Sequence, residues 1–406
     1  MENYQKAQKF LNEENIDGWL LYYFDHNNPH ALNFLKLLPT THISRRVFYW
    51  IPMQGEPVKI VHAIEENVLS HLPGLTVLYD SFSSLDKALK SILSKAKRVA
   101  MEYSFCNSLP YISKVDAGTI EMIEKYNCKV VSSASFLLHF TSILSLKQIK
   151  MQQEASKFLE TVAKQIFLEL ERALCKGQKI SEYHVQQKIL EYFAKEGFFT
   201  EHAPIVAFGT NTANPHYSPH PDSCATLEAN MPIMLDIFCK LDKPEAVYAD
   251  ITKMGYSSNE PSLEFTKAFR AIQHAQQIAY DLLSQRLQQG LSVKGYELDQ
   301  VARAYLADLN MGEYFRHRLG HNIHEMLHGP GTHLDSFETF DDRPLVPSTC
   351  FSIEPGVYFP GKFGIRLEYD VLIMPDSTCS IQGGQQTHPF TFSSNKKALT
   401  IAPFIL

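Results

Sequence analysis

The sequence predicts an α/β (α+β) protein of two domains, residues 1–142 and 146–406. The chain has 406 residues, which is more than one hydrophobic core usually accommodates. Short apolar runs alternate with stretches of helical periodicity, and a break at about residues 142–147 separates the two halves. Hydrophobic residues make up 45% of the chain and charged residues 20%, as is typical of globular proteins.

In the first half, predicted helices alternate with predicted strands. Helices are expected over residues 4–15 and 85–96, because apolar residues recur there with helical spacing. Apolar runs predict strands over residues 19–24, 47–51 and 58–62. The histidines of this half are scattered, so we expect no catalytic site in it.

The second half begins with a long amphipathic helix, predicted over residues 151–174. Ser181 is expected to cap the next helix, which should run to about residue 194 and end at Gly197. A buried strand over residues 204–208 then leads into a turn at residues 209–217. Later helices are predicted over residues 262–287 and 297–309, and strand-like runs surround the acidic residues at 234–236, 248–252, 351–354 and 365–368.

Charge and cysteine content exclude several classes of partner. The formal net charge is −6 and the chain has no basic run, so neither nucleic acid nor an anionic membrane is an expected partner. The seven cysteines are scattered, without any C-x-x-C pair, which predicts reduced thiols in a cytoplasmic protein. The N-terminus lacks the pattern of a signal peptide, and no apolar window is long enough for a membrane span.

Residues 314–331 contain four histidines, His317, His321, His324 and His328. Imidazole is a common metal ligand and proton carrier, so the cluster predicts a metal or acid/base site. Residues 324–328 also read H-E-x-x-H, which binds zinc when it lies within a helix. Gly320 before the motif and Gly-Pro-Gly at 329–331 after it allow a turn or two of helix at most, so this zinc site is not favoured.

Four carboxylates and one imidazole form an ordered set in or beside apolar runs. A charge there is costly to bury unless a cation compensates it, which predicts a pair of divalent metal ions. Oxygen-rich ligands favour Mn²⁺ over Zn²⁺, although Co²⁺ or Zn²⁺ also fits these ligand types. The five residues are Asp236, Asp250, His321, Glu354 and Glu368.

The same segments resemble the pita-bread metallopeptidases (family M24), and in particular their proline-specific branch, the Xaa-Pro aminopeptidases and Xaa-Pro dipeptidases (prolidases). The resemblance implies an N-terminal creatinase-like (creatinase/prolidase-like) α/β domain followed by a C-terminal pita-bread catalytic domain. The matching segments are 205–217, 235–236, 250–252, 317–321, His328, 353–358 and 364–368.

The resemblance also implies a role for each metal ligand. Asp236 resembles the chelating ligand of one ion, and Asp250 and Glu368 resemble the bridging carboxylates. His321 and Glu354 resemble the ligands of the second ion. The two ions would activate a water molecule as the nucleophile.

Catalytic and substrate-binding roles follow from the same resemblance. Glu354 resembles the proton shuttle of the family. His216 and His328 resemble the imidazoles that steady the scissile carbonyl, and His317 with Arg366 resembles the lining of the proline end of the cleft.

The sequence departs from the family pattern at several positions. Asp236 and Asp250 are fourteen positions apart, three more than is usual, and we expect a longer hairpin between residues 241 and 247 to absorb the difference. Asn322, His324 and Gly329 replace residues usual in the family, which bears on the shape of the cleft.

These observations predict a dinuclear-metal exopeptidase for peptides with proline at the second position, specifically an Xaa-Pro aminopeptidase and, by general frequency, a homodimer. The first alternative is an Xaa-Pro dipeptidase, for which Arg343 is the candidate that would bind the carboxylate of the dipeptide. The others are a pita-bread module that binds peptides without catalysis and a mononuclear zinc peptidase using residues 324–328.

Overall fold

The computed structural model describes residues 2–38 and 40–393. The chain divides into two units, Met1–Ile143 and Leu144–Leu406. Helices and sheets occur in both units, which confirms the predicted α/β class. No helix among the described residues is long and apolar enough to cross a membrane.

The described residues of the first unit form a mixed six-stranded sheet in the order β4-β3-β2-β1-β5-β6. Its strands are β1 (Gly18–Tyr23), β2 (Val47–Pro52), β3 (Val58–His62), β4 (Leu75–Tyr79), β5 (Arg98–Met101) and β6 (Lys129–Ser132). Its helices are α1 (Asn3–Glu13), α2 (Pro29–Phe34), α3 (Phe82–Leu93), α4 (Ala117–Glu124) and α5 (Ala134–Thr141).

The central strand β1 is an uninterrupted apolar run because both faces of the sheet are covered. Trp19, Leu21 and Tyr23 point into one hydrophobic cluster. Leu20 and Tyr22 belong to the cluster on the other face. The alternation of side chains along a strand therefore supplies both cores of this unit from one segment.

The described residues of the second unit form four long helices and several small sheets. The helices are α6 (Leu146–Cys175), α7 (Glu182–Lys195), α8 (Leu263–Gln288) and α9 (Gly295–Asp308). The strands are β7 (Phe198–Phe199), β8 (Ile205–Phe208), β9 (Pro232–Leu241), β10 (Ala249–Tyr256), β11 (Asn322–Ile323), β12 (Thr349–Ile353), β13 (Gly356–Phe359), β14 (Phe363–Arg366), β15 (Tyr369–Ile373), β16 (Cys379–Gln382) and β17 (Phe390–Thr391).

Two strand pairings organise the second unit around the acidic residues. In one sheet the antiparallel pair β9 and β10 is flanked by β7, β8 and β17, and in another β12 lies between β11 and β15. Helices α6 and α7 pack with β9 in one hydrophobic cluster, whereas α8 and α9 pack with β12, β14 and β15 in a second cluster. The acidic segments are thus held between two packed layers of helices.

Capping explains where two helices begin. Helix α6 begins at Leu146, five residues before the predicted start, because Ser145 and Gln148 form a reciprocal capping box. Ser181 caps α7 as predicted, and its hydroxyl accepts a hydrogen bond from the backbone N–H of His184 at 3.2 Å.

Candidate metal centre

The pairing of β9 with β10 brings two aspartates onto one face of the sheet. Asp236 lies opposite Thr252, and Asp250 lies opposite Phe238. Because side chains alternate along a strand, Asp250 and Thr252 point the same way, and Asp236 shares their face. Both carboxylates are buried, with exposed fractions of 8% and 4%.

Glu368 is fixed against this face by its neighbour on β10. The hydroxyl of Thr252 donates to Oε2 of Glu368 at 2.7 Å, and the backbone N–H of Glu368 donates to the carbonyl of Thr252 at 3.2 Å. Glu368 is 3% exposed. These two hydrogen bonds hold Glu368 beside the two aspartates.

His321 lies immediately before β11, and Glu354 lies immediately after β12. Ser352 connects them, since its hydroxyl accepts from the backbone N–H of His321 at 3.0 Å and donates to Oε1 of Glu354 at 3.2 Å. Nε2 of His321 lies 3.4 Å from Oε1 of Glu354 and 3.6 Å from Oδ2 of Asp250. Ligand atoms of Asp250, His321 and Glu368 all lie within 4.8 Å of one another.

The imidazole of His321 presents a lone pair to the carboxylates. Its Nδ1 contacts the carbonyl of Asn322 at 3.3 Å, and because a carbonyl only accepts, Nδ1 carries the proton. Burial lowers the pKa of His321 well below its usual value, so Nε2 is unprotonated. A lone pair facing carboxylate oxygens is repulsive unless a cation lies between them.

The four carboxylates are also mutually unfavourable as charged groups. Burial raises the pKa of Asp236, and together with the neighbouring acids it raises the pKa of Asp250 and Glu368 well above their usual values. Burial likewise raises the pKa of Glu354 to about 7. Oδ1 of Asp250 and Oε1 of Glu368 are buried without a hydrogen-bond partner. Divalent cations would satisfy these oxygens and compensate the charge, so the residues fit a metal centre.

Arg366 links the acids to the predicted proline end. Its guanidinium pairs with Oδ2 of Asp236 and donates to the hydroxyl of Tyr358 at 2.8 Å. Nδ1 of His317 contacts the carbonyl of Arg318 at 2.7 Å, so Nε2 accepts from the hydroxyl of Tyr358 at 2.8 Å. Both ring nitrogens of His317 are thus engaged within the chain, and what the ring offers a substrate is its apolar face.

His328 and His216 lie beside the acids on exposed segments. The ring of His328 meets that of His321 edge to face, with centroids 4.3 Å apart. The carbonyl of Pro215, the residue before His216, accepts from Arg366 at 3.3 Å, and Arg366 pairs with Asp236. The ring of His328 therefore contacts a predicted ligand directly, whereas His216 lies one residue from a contact with Arg366.

Residues 324–328 do not form the helix that an H-E-x-x-H zinc site requires, since β11 ends at Ile323 and irregular backbone follows. The carboxylate of Glu325 is exposed and accepts from Nε2 of Gln148 at 3.3 Å. The backbone N–H of His324 donates to the carbonyl of Met326 at 3.1 Å, within a tight turn. His324 and His328 are therefore not arranged on one helical face.

Arg343 is not placed to bind a substrate carboxylate, which corrects its candidacy for that role. It is 2% exposed and pairs with both carboxylate oxygens of Asp341, at 2.9 and 2.6 Å. Its remaining donors reach the carbonyls of Pro330 and Gly331 at 3.0 and 2.6 Å. The guanidinium therefore holds the turn at 329–331 through these hydrogen bonds.

Three residues near the centre escaped sequence reasoning. Asp370 is fully buried and accepts from the backbone N–H of Asp250 at 3.0 Å and from Gln152 at 2.8 Å. Arg318 is 9% exposed, and its charge lowers the pKa of His321. Tyr358 joins His317 to Arg366. An acid within the apolar run 369–373 was the available signal for Asp370.

Comparison with known proteins identifies the family of the chain. The model of metallopeptidase family M24 matches residues 151–375. An Xaa-Pro dipeptidase of Lactobacillus delbrueckii subsp. lactis is 28% identical over 270 residues, which cover 66% of this chain and 65% of that protein. The chain thus aligns over slightly less than two thirds of that relative's length.

Solved structures share the fold. The dipeptidase PepE of Mycobacterium ulcerans has a TM-score of 0.64 at 20% identity, covering 96% of this chain and 97% of that one. An X-prolyl aminopeptidase of Caenorhabditis elegans, described as a cytosolic enzyme with a di-nuclear active site, has a TM-score of 0.61 at 16% identity, with 93% and 60% covered. The family model spans more than half of the chain and includes all five predicted ligands. The chain therefore belongs to metallopeptidase family M24.

Proposed function

We propose that the chain is a dinuclear-metal exopeptidase that hydrolyses the Xaa-Pro bond at the N-terminus of peptides, an Xaa-Pro aminopeptidase. The observation that carries this proposal is the buried set of four carboxylates and one imidazole, in which two carboxylate oxygens have no hydrogen-bond partner. The name of the di-nuclear X-prolyl aminopeptidase that shares the fold supports the same reading.

One ion would be held by Asp236, Asp250 and Glu368. The other would be held by His321, Glu354 and the two bridging carboxylates, Asp250 and Glu368. Oxygen ligands predominate, so we propose Mn²⁺ as the physiological metal. When bound, the ions lower the pKa of water and stabilise the charge that develops on the scissile carbonyl oxygen.

The chain's own side chains would move the proton and hold the substrate. Glu354 lies at the edge of the acid cluster, where it would take a proton from the attacking water and return it to the leaving proline nitrogen. His328 and His216, on the solvent side, would hold the scissile carbonyl. The apolar face of His317 would pack against the proline ring of the substrate. Arg366 would keep the imidazole of His317 in place through Tyr358.

The experiment for this proposal is metal removal and replacement. Dialysis against a chelator should abolish cleavage of Xaa-Pro peptides, and added Mn²⁺ or Co²⁺ should restore it, because the proposed nucleophile is water activated by the metal ions. Metal analysis should find two ions per chain. Full activity in a metal-free sample would contradict the proposal, and so would one tightly bound zinc.

The dipeptidase alternative is favoured by a different observation. The curated relative described above is named an Xaa-Pro dipeptidase. The candidate that the sequence offered for the carboxylate of a dipeptide, Arg343, is hydrogen-bonded within its own turn.

A substrate series separates the two activities. The proposed aminopeptidase should cleave Ala-Pro-Ala and Ala-Pro-Ala-Ala as well as Ala-Pro. Cleavage confined to Ala-Pro would identify a dipeptidase instead. Equal cleavage of the control Ala-Ala-Ala would contradict proline specificity, because selection rests on the fit of the ring and on the missing N–H of the tertiary amide.

We further propose a cytoplasmic homodimer. All seven cysteines are free thiols, in agreement with a reducing compartment. Light scattering on the purified chain tests the oligomeric state, and a mass of one chain would contradict the dimer.

A further inference from the structure

Glu182, in the first turn of α7, is a fully buried carboxylate outside the metal centre. Four groups donate hydrogen bonds to it. The donors are the backbone N–H of Phe208 at 2.5 Å, Nδ2 of Asn211 at 3.0 and 3.1 Å, the hydroxyl of Tyr217 at 2.6 Å and the backbone N–H of Ala225 at 2.6 Å. The carboxylate therefore needs no further partner, and the start of a helix is a favourable place for its charge.

All four donors belong to one segment, residues 208–225, which we name the His216 segment. Phe208 and Ala225 are its two ends, and Asn211 and Tyr217 lie between them. The segment consists of a short 3₁₀ turn (Gly209–Ala213) followed by irregular backbone. Beyond Phe208, which ends β8, the segment has no strand or long helix of its own, so it depends on such external bonds for its shape.

The segment carries His216 next to Pro215, which contacts Arg366 of the metal centre. The hydrogen bond from the backbone N–H of His216 to Asn214 is local, at 3.1 Å. The carbonyl of Pro215 accepts from Arg366 at 3.3 Å, and the hydroxyl of Thr212 accepts from the N–H of Gly364 at 2.9 Å. The segment thus touches the active-site strands on one side and Glu182 on the other.

We propose that Glu182 is a positioning residue that sets the location of His216 over the scissile carbonyl. The proposal rests on the function proposed above, in which His216 contacts the substrate. The side-chain hydrogen bonds described for Glu182 all come from the His216 segment, so Glu182 acts through the shape of that segment. Misplacement of a catalytic group by about 1 Å can cost on the order of 10²-fold in rate.

The principal variant is Glu182→Gln, which puts an amide N–H₂ where one oxygen accepted and leaves at least two donors facing it. We expect kcat to fall by about 10²-fold with KM little changed, because the lost interaction matters in the transition state. Metal content should remain that of the wild type. Tyr217→Phe, which removes a single donor, should give a smaller loss of kcat and serves if Glu182→Gln does not fold.

Glu169→Gln is the matched control. Glu169 also connects helices through several bonds, to Gln165 and Tyr192 at 2.8 and 2.6 Å and to Lys188 at 2.5 Å, but it does not contact the His216 segment. This variant should lose thermal stability without losing kcat.

The decisive measurement is a double-mutant cycle with His216→Ala. If Glu182 acts through His216, Glu182→Gln should cost nothing further in the His216→Ala background. Losses that multiply, or a folded Glu182→Gln with wild-type kcat, would overturn the positioning role while leaving the proposed function intact. A wild type that does not cleave Xaa-Pro peptides would instead contradict the proposed function, and the positioning role with it.

Discussion

Glu354 and Glu325 are the two carboxylates that the competing metal sites would require, and their surroundings differ. Glu354 lies between Ser352 and His321 at the edge of the acid cluster. Glu325 is exposed on an irregular turn and bonds to Gln148. Glu354 therefore has neighbours suited to proton transfer. The potential metal ligands near Glu325 are the histidines of its own turn, His324 and His328.

We therefore predict opposite outcomes for the two alanine variants. Glu354→Ala should lose at least about 10²-fold in kcat, because proton transfer and a metal ligand are both removed. Glu325→Ala should keep nearly full activity. Initial rates on an Xaa-Pro peptide with saturating Mn²⁺ provide the comparison, and the reverse order would favour a mononuclear zinc site.

At the residue scale, the sequence located groups whose local context is distinctive. Asp236 and Asp250 were predicted because an acid within an apolar run demands compensation, and both are buried in one cluster. The sequence could not show that Arg343 is already hydrogen-bonded within the chain, because two of its acceptors are carbonyls twelve and thirteen residues away. Asp370 was missed for the same kind of reason, since its bonding partners Gln152 and Asp250 are distant in the chain.

At the element scale, the turn at residues 322–331 shows how departures from the family pattern fit together. The side chain of Asn322 accepts from the N–H of Gly331 at 2.9 Å and donates to the carbonyl of Cys350 at 2.9 Å. A Cβ at Gly329 or Gly331 would overlap this amide. Asn322 therefore fits only with glycine at positions 329 and 331, so the departures from the family pattern at positions 322 and 329 depend on each other.

Lys240 on β9 holds this turn from outside. Its ammonium donates to the carbonyl of Glu325 at 2.7 Å and lies 4.7 Å above the ring of Tyr248. The backbone N–H of Tyr248 donates to the carbonyl of His324 at 3.0 Å. The hairpin of β9 and β10 thus fixes the segment that carries His328.

We predict that Lys240→Met lowers kcat/KM about tenfold, since His328 would be less well placed while the metal ligands stay unchanged. Lys243→Met, in the exposed part of the same hairpin, is the control and should be silent. Steady-state kinetics together with metal analysis test this. Loss of metal in Lys240→Met would show that the contact supports the centre itself and not the turn.

Helix and strand positions were predicted well where periodicity was strong and less well at their ends. Helix α8 runs from Leu263 to Gln288, within one residue of its predicted limits. Helix α6 begins earlier than expected because a capping box sets its first turn ahead of the first clear apolar spacing. The hairpin expected after residue 241 joins β9 and β10. Its register required the folded structure, since register depends on partners that no single segment specifies.

At the scale of the whole molecule, the acid cluster couples stability to metal and to pH. Asp250 and Glu368 have folded-state pKa values raised well above their usual range. An acid with a raised pKa stabilises the fold fully below its unfolded pKa of about 4, and that contribution is lost as pH rises towards the folded value. Metal binding requires the deprotonated ligands, so it acts in the opposite sense.

We therefore predict that the metal-free chain loses thermal stability between pH 7 and 8, because burial raises the pKa of Glu354 to about 7 and this carboxyl completes its ionisation there. Unfolded histidine is already mostly neutral in this window. Mn²⁺ at a fixed concentration, a hundred times its dissociation constant at pH 7, should add about 2.7 kcal/mol per site at pH 7. The same concentration should add more at the higher pH, because the dissociation constant falls as the ligands lose their protons. Differential scanning calorimetry with and without Mn²⁺ measures both effects.

Glu368→Gln is the control for this experiment, because it removes a ligand while keeping the shape of the side chain. The increment from Mn²⁺ should shrink in this variant. A wild-type melting temperature that is the same with and without Mn²⁺ at both pH values would contradict the coupling.

The register of β9 against β10 also determines where the length of this chain is free to vary over evolutionary time. Adding or removing one residue between Asp236 and Leu241, or between Ala249 and Asp250, would turn an aspartate to the opposite face. Residues 242–245 are exposed and join the two strands outside the pairing. Insertions and deletions can therefore accumulate in that hairpin in any number, odd or even, while the strands on either side keep a fixed count.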